Sequence, residues 1–226
     1  APDWKVNKNV KCSPPGTEAD WWRGESLEIR YGQGLSNFLS GVAFPRLHRL
    51  QLAWLTDAQD VALFSSLNGR APSLVVLNYV VGILKHEGLA ALTDALAGLP
   101  SLRQLRIEIQ TVNFETVHEF FRALSRCPLT ALRLTYRTRI LTESLVFSEM
   151  ISEMSSTLVS LELRLKLRKL LGAYAAIGRC SKLRLLYLKS YSVKEERLND
   201  FCAMLENLNS LRTLALIFSD SDCALR

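Results

Sequence analysis

The chain has 226 residues, 48% of them hydrophobic and 22% charged, with a formal net charge of +6. That balance fits a folded chain of one domain or two small ones and excludes a disordered chain, which would be poorer in apolar residues. No run of about 18 or more apolar residues occurs, so no segment is expected to span a membrane.

Taken in chain order, residues 1–26 read as an irregular N-terminal arm. It holds Lys5, Lys8, Lys11, Pro14-Pro15 and three of the four tryptophans: Trp4, Trp21 and Trp22. Rings of this kind either cover the end of a core or dock on another protein, because Trp is enriched at binding hot spots. The start, Ala1-Pro2-Asp3-Trp4-Lys5, has no basic stretch followed by an apolar one, so no secretory signal is read there. The expected location is intracellular, cytoplasmic by default, or mitochondrial if a targeting segment has been removed.

Beyond the arm, the element Leu-x-x-Leu-x-Leu recurs. It runs Leu47/Leu50/Leu52, Leu74/Leu77/Tyr79, Leu102/Leu105/Ile107, Leu129/Leu132/Leu134, Leu158/Leu161/Leu163, Leu183/Leu186/Leu188 and Leu211/Leu214/Leu216. Leu fills 19 of these 21 slots, although it makes up 42 of 226 residues and chance would fill about four. The central leucines lie 27, 28, 27, 29, 25 and 28 residues apart. Each closing Leu-x-Leu alternates apolar with polar, which predicts a short strand with one buried face. Segments with helical spacing follow, among them Val61/Leu63/Phe64/Leu67, Leu89/Leu92/Leu96, Val117/Phe120/Phe121/Leu124 and Phe201/Leu205/Leu208. Thr56 and Ser192 open capping-box sequences, and Asn113 and Thr142 are further candidate caps. Pro45, Pro72, Pro100 and Pro128 stand between a helix and the next strand. One strand and one helix of this size cannot bury their own apolar faces, but stacked neighbours can.

On these residues the chain resembles the leucine-rich-repeat superfamily over roughly residues 27–218. Its period is most similar to the ribonuclease-inhibitor-like and F-box-protein classes. The exits Cys127-Pro128-Leu129 and Cys180-Ser181-Lys182-Leu183 are similar to the Cys-Pro-x-Leu turn of the latter. The resemblance implies an α/β solenoid of about seven to eight repeats, with parallel strands on the concave face and helices on the convex face, followed by a tail over 219–226. It also implies an Asn or Cys after each strand to bond the next turn. The chain instead has Leu55, Gly82, Gln110, Arg137, Lys166, Tyr191 and Ser219 there, and residues 1–46 hold no counterpart of the F-box.

Catalytic and metal-binding constellations are absent from the sequence. His48, His86 and His118 fall in different repeats, and no HExxH, GxSxG, Walker or GxGxxG sequence occurs. Gly32-Gln33-Gly34 is too short to cradle phosphates. The five cysteines, Cys12, Cys127, Cys180, Cys202 and Cys223, are widely spaced without a CxxC pair, which argues for reduced, mostly buried thiols. No enzyme activity, cofactor, metal or small-molecule substrate is expected.

The alternation within each strand sends three columns of side chains off the concave face. The middle column reads Gln51, Asn78, Arg106, Arg133, Glu162, Tyr187, Ala215, and the column after it includes Glu108, Thr135, Arg164 and Lys189. Residues 103–197 carry 17 Lys/Arg against 9 Asp/Glu, a net of +8, and the rest 11 against 13, a net of −2. Its densest run is Arg164, Lys166, Arg168, Lys169. The expected function is a non-catalytic adaptor or receptor that holds an acidic protein partner on Arg106, Arg133, Arg164, Tyr187 and Lys189, with Trp4, Trp21 and Trp22 as a second contact. Nucleic acid ranks behind a protein, because stacking aromatics are sparse there. The alternative is a structural accessory subunit of a large assembly, including a mitochondrial one.

Overall fold

The computed structural model describes residues 26–30, 44–53, 55, 57–79, 84–109, 113–136, 145–165, 172–190 and 198–218. Trp4, Trp21, Trp22 and the rest of the expected arm up to residue 25, the tail over 219–226, and the candidate caps Thr56, Thr142 and Ser192 lie outside the described residues.

Strands and helices alternate: β1 (Ser26–Arg30), β2 (Arg49–Ala53), α1 (Asp57–Leu67), β3 (Val76–Tyr79), α2 (His86–Leu96), β4 (Gln104–Ile109), α3 (Phe114–Ser125), β5 (Ala131–Tyr136), α4 (Leu145–Glu153), β6 (Ser160–Arg164), α5 (Ala173–Gly178), β7 (Leu185–Ser190), α6 (Leu198–Asn207) and β8 (Thr213–Phe218). The eight strands form one sheet in sequence order, and every pairing is parallel. Each helix packs on the next, so the helices form a single layer. The result is an α/β solenoid-like repeat.

The leucine pattern accounts for the core. The central column Leu50, Leu77, Leu105, Leu132, Leu161 and Leu186 is 0–2% exposed. The column two residues on is equally dry up to Leu188. Each of these side chains contributes about 1.5–3 kcal/mol by leaving water. The seventh member, Leu214, departs from its column at 42% exposed. Among the described residues β8 pairs only with β7, so no further repeat covers its side.

The helices meet the strands through matching apolar faces. On α3, Val117, Phe120, Phe121 and Leu124 are all fully buried. Its first turn is capped as expected: the Thr116 N–H donates to Asn113 Oδ1 at 3.1 Å. Near their exits, the Cys127 and Cys180 thiols donate back to the Ala123 and Ala176 carbonyls at 3.6 and 3.7 Å. Two glycines let the ends of α1 and α2 approach. Gly69 has φ 68°, and a Cβ on Gly98 would fall on the Gly69 backbone nitrogen and 2.6 Å from Asn68 Oδ1.

The sequence has no Asn or Cys at the slots after the strands, and at the beginnings of β2 to β8 backbone hydrogen bonds join the repeats. The His48 carbonyl accepts from the Val75 and Val76 N–H groups at 2.8 and 2.9 Å. Val75 does the same for Arg103 and Gln104, Arg103 for Thr130 and Ala131, and Thr130 for Val159 and Ser160. Val159 then serves Arg184 and Leu185, and Arg184 serves Arg212 and Thr213. One carbonyl per repeat thus takes two N–H groups from the next.

Among the described strands, one leucine slot holds a polar side chain. Tyr79, which replaces the third Leu of its repeat, donates its hydroxyl to the Asp60 carboxylate, 3.0 and 2.9 Å from the two oxygens. Asp60 is 1% exposed on α1. A buried carboxylate needs such donors, because an unsatisfied polar group costs its full desolvation.

Candidate functional site

On the sheet face away from the helices, the side chains between the buried leucines line up across strands. The register pairs Gln51 with Asn78, Asn78 with Arg106, Arg106 with Arg133, Arg133 with Glu162, Glu162 with Tyr187 and Tyr187 with Ala215. This is the middle column read from the sequence. The column after it pairs Glu108 with Thr135, Thr135 with Arg164 and Arg164 with Lys189. Parallel strands lie about 4.8 Å apart, so each such pair is a pair of side-chain neighbours.

The charges there are organised around Glu162. Its Oε2 lies 3.0 Å from Nη1 of Arg133, one strand away. Its Oε1 lies 3.0 Å from Nη2 of Arg164 and accepts from Nε of the same residue at 3.1 Å. Arg133, Glu162 and Arg164 are all partly buried, with Glu162 the least accessible. The Arg164 guanidinium also sits 5.3 Å from the centre of the Tyr187 ring, a cation–π contact. One carboxylate therefore holds two guanidiniums in place, and one of these lies over an aromatic face.

Positive charge still predominates. Burial, and then the neighbouring Arg106 and Arg164, hold the Arg133 guanidinium below its ordinary pKa, with Glu162 and Tyr187 opposing. Arg106 and Lys189, at the two flanks, make no ion pair among the described residues. An arginine keeps five N–H donors, so Glu162 leaves part of each guanidinium it holds available to a ligand.

The structure thus brings together Arg106, Arg133, Arg164, Tyr187 and Lys189. Trp4, Trp21 and Trp22 are outside the described residues, as are Lys166, Arg168 and Lys169. Two other tyrosines lie near these residues in the repeat pattern: Tyr136, at the end of β5, is 6% exposed and belongs to the core, and Tyr191 lies outside the described residues. In the sequence alone Glu162 is an acidic break in the basic columns. Its role as a hub was foreshadowed by two offsets: it is two residues before Arg164, hence on the same strand face, and one repeat after Arg133.

The other candidates for chemistry are dispersed. His86 Nδ1 is 2.7 Å from Thr116 Oγ1, joining α2 to α3. His118 meets Phe114 in a tilted ring contact, with ring centres 3.8 Å apart and planes 53° apart. Burial pushes the Cys127 thiol up to about 11 and the Cys180 thiol up to about 12, so both remain protonated and inert, while Cys202 is exposed. No group of three or more potential metal ligands occurs among the described residues. No described helix is long and apolar enough to cross a membrane. No protein-family model matches the chain, and none of the curated proteins matches it.

Proposed function

We propose that the chain is a leucine-rich-repeat protein that acts without catalysis, as an adaptor or receptor holding an acidic protein partner on the open face of its sheet. The observation that carries this reading is a pair of adjacent columns on neighbouring strands β4 to β7, with Arg106 in register with Arg133 in one and Arg164 in register with Lys189 in the other. Cations on a rigid sheet raise the local concentration of an anionic partner and orient it, which speeds and selects association. Arg106 and Lys189 are the residues to perturb, because neither is committed to an ion pair among the described residues. With a fluorescent Asp/Glu-rich peptide as probe, Arg106→Glu combined with Lys189→Glu should weaken binding by about tenfold or more and flatten its salt dependence. The thermal midpoint should stay near that of the parent. Binding that is unchanged by the double reversal would remove the open face as the site.

A second reading, an accessory subunit of a large multiprotein complex, is favoured by β8. This strand, Thr-Leu-Ala-Leu-Ile-Phe, carries no charge, and Leu214 and Ile217 are each 42% exposed. Edge strands usually carry charges, Pro or bulges that discourage pairing. Native mass measurement on protein taken from its source separates the two readings: a fixed stoichiometric complex supports the subunit, a free chain the adaptor.

A further inference from the structure

We infer that the centre of the basic face is a site for a phosphate monoester dianion carried by a phosphorylated protein segment, held between Arg106, Arg133 and Arg164 with Lys189 at its rim. This rests on the proposed reading of the face as protein-binding and names the group that the face takes.

The charge count comes first. The two outward columns of β4 to β7 hold four cations, Arg106, Arg133, Arg164 and Lys189, and two carboxylates, Glu108 and Glu162, which leaves +2. A single Asp or Glu of a partner cancels half of that excess. A phosphorylated side chain carries about −1.5 to −2 at neutral pH and cancels nearly all of it. Behind burial, and against the larger opposing pull of Glu162, Arg106 and Arg164 both weigh against the charged form of Arg133.

Geometry comes second. Glu162 fixes Arg133 through Nη1 and Arg164 through Nε and Nη2, so two guanidiniums stand on either side of one carboxylate with part of each fork free. Arg106 stands one strand beyond Arg133 and makes no ion pair among the described residues. Planar forks held in advance suit the several oxygens of a phosphate, which accept parallel N–H bonds, better than the two of a carboxylate. Glu162 is a positioning residue here: it lowers the net charge but sets the forks.

The same face argues against a nucleic acid as the source of the phosphate. Binding of single strands relies on aromatic rings that stack bases. Tyr187 lies under the Arg164 guanidinium, and Tyr136 is turned into the core.

The test uses the full chain and fluorescence anisotropy with four probes: an acidic peptide containing one phosphoserine, the same peptide with Ser, the same peptide with Glu, and an oligouridine. The phosphopeptide should bind about tenfold or more tighter than the Glu peptide at neutral pH. This preference should shrink at about pH 5, where the phosphate, with its second pKa near 6, becomes a monoanion. Arg106→Gln should abolish the preference without moving the thermal midpoint. Glu162→Gln should keep or raise the affinity for all anions yet narrow the gap between phosphoserine and Glu, a result that a purely electrostatic face would not give. Equal binding of the phosphoserine and Glu peptides overturns the inference and leaves the acidic-partner reading standing. No binding of any peptide overturns that reading itself, and tighter binding of oligouridine replaces both with a nucleic-acid face.

Discussion

Replacing Tyr79 by Phe removes the hydroxyl that bonds Asp60 within a mostly apolar core. The ring stays where it is, 6.3 Å from the Phe64 ring between centres, and only the hydroxyl is lost. That hydroxyl is the donor 3.0 and 2.9 Å from the two Asp60 oxygens, and both residues are nearly inaccessible to water at 2% and 1% exposure. A hydrogen bond to a carboxylate contributes about 1.5–3 kcal/mol, and deleting the donor strands the acceptor. Asp60 retains a further interaction, which places the expected loss near the lower end, about 2 kcal/mol. With a urea m-value of roughly 2.5 kcal/mol/M for a chain of this size, the midpoint should fall by about 0.8 M. Urea unfolding followed by far-ultraviolet circular dichroism measures this, and m should not change. A double-mutant cycle with Asp60→Ala should show coupling of about 1–2 kcal/mol. A midpoint shift below about 0.2 M, or single effects that simply add, would refute the claim that this contact stabilises the fold.

Two further outcomes follow from local geometry. Gly98→Ala puts a methyl group onto the Gly69 backbone, which cannot move aside as a side chain end would, and should destabilise by about 1–3 kcal/mol in the same urea assay. Gly69→Ala, strained by its φ of 68° but with open space around the new Cβ, should cost about 1 kcal/mol. Burial, reinforced by Arg122 and opposed by Glu149, holds the His118 pKa below 6.5. The native chain then binds fewer protons at this site than the unfolded chain, so the contribution of His118 is present in full above pH 6.5 and is lost as pH falls below it. His118→Gln should therefore lose less thermal stability than the parent between about pH 7.5 and pH 5. An identical pH profile for the two proteins would dismiss this linkage.

The sheet was legible because its information is periodic. Leucines at intervals near 27 state where each strand lies, and the two-residue alternation states which side chains turn outward. The register of Arg106, Arg133, Glu162 and Tyr187 follows from nothing more. Asn113 was legible for a similar reason, because capping depends on one side chain and the next turn. What stayed hidden depends on where side chains point between repeats. Glu162 reads in sequence as an interruption of a basic face, yet it is the residue that Arg133 and Arg164 share. Asp60 reads as one more charge on a helix, and only the position of Tyr79 across the core makes it a buried partner. Leu214 has the same local sequence pattern as its six buried counterparts, and what differs is that no described strand lies beyond it.

The carbonyls of His48, Val75, Arg103, Thr130, Val159 and Arg184 each join the repeats by taking two main-chain N–H groups, with the Thr130 hydroxyl adding a third donor to Arg103 at 3.2 Å, and those six residues share no single side-chain chemistry. What the six junctions share is therefore an amide proton at the twelve positions that donate. Among natural residues the one substitution that removes that proton is proline, so proline is the residue these positions exclude. The chain already respects the rule: Pro45, Pro72, Pro100 and Pro128 each stand two or three residues ahead of a shared carbonyl, where no rung calls on a nitrogen. Side chains as different as those of His48, Val75, Arg103 and Thr130 therefore serve the same junction, and the spacing of the sheet is kept by a constraint that a comparison of side chains alone would not reveal.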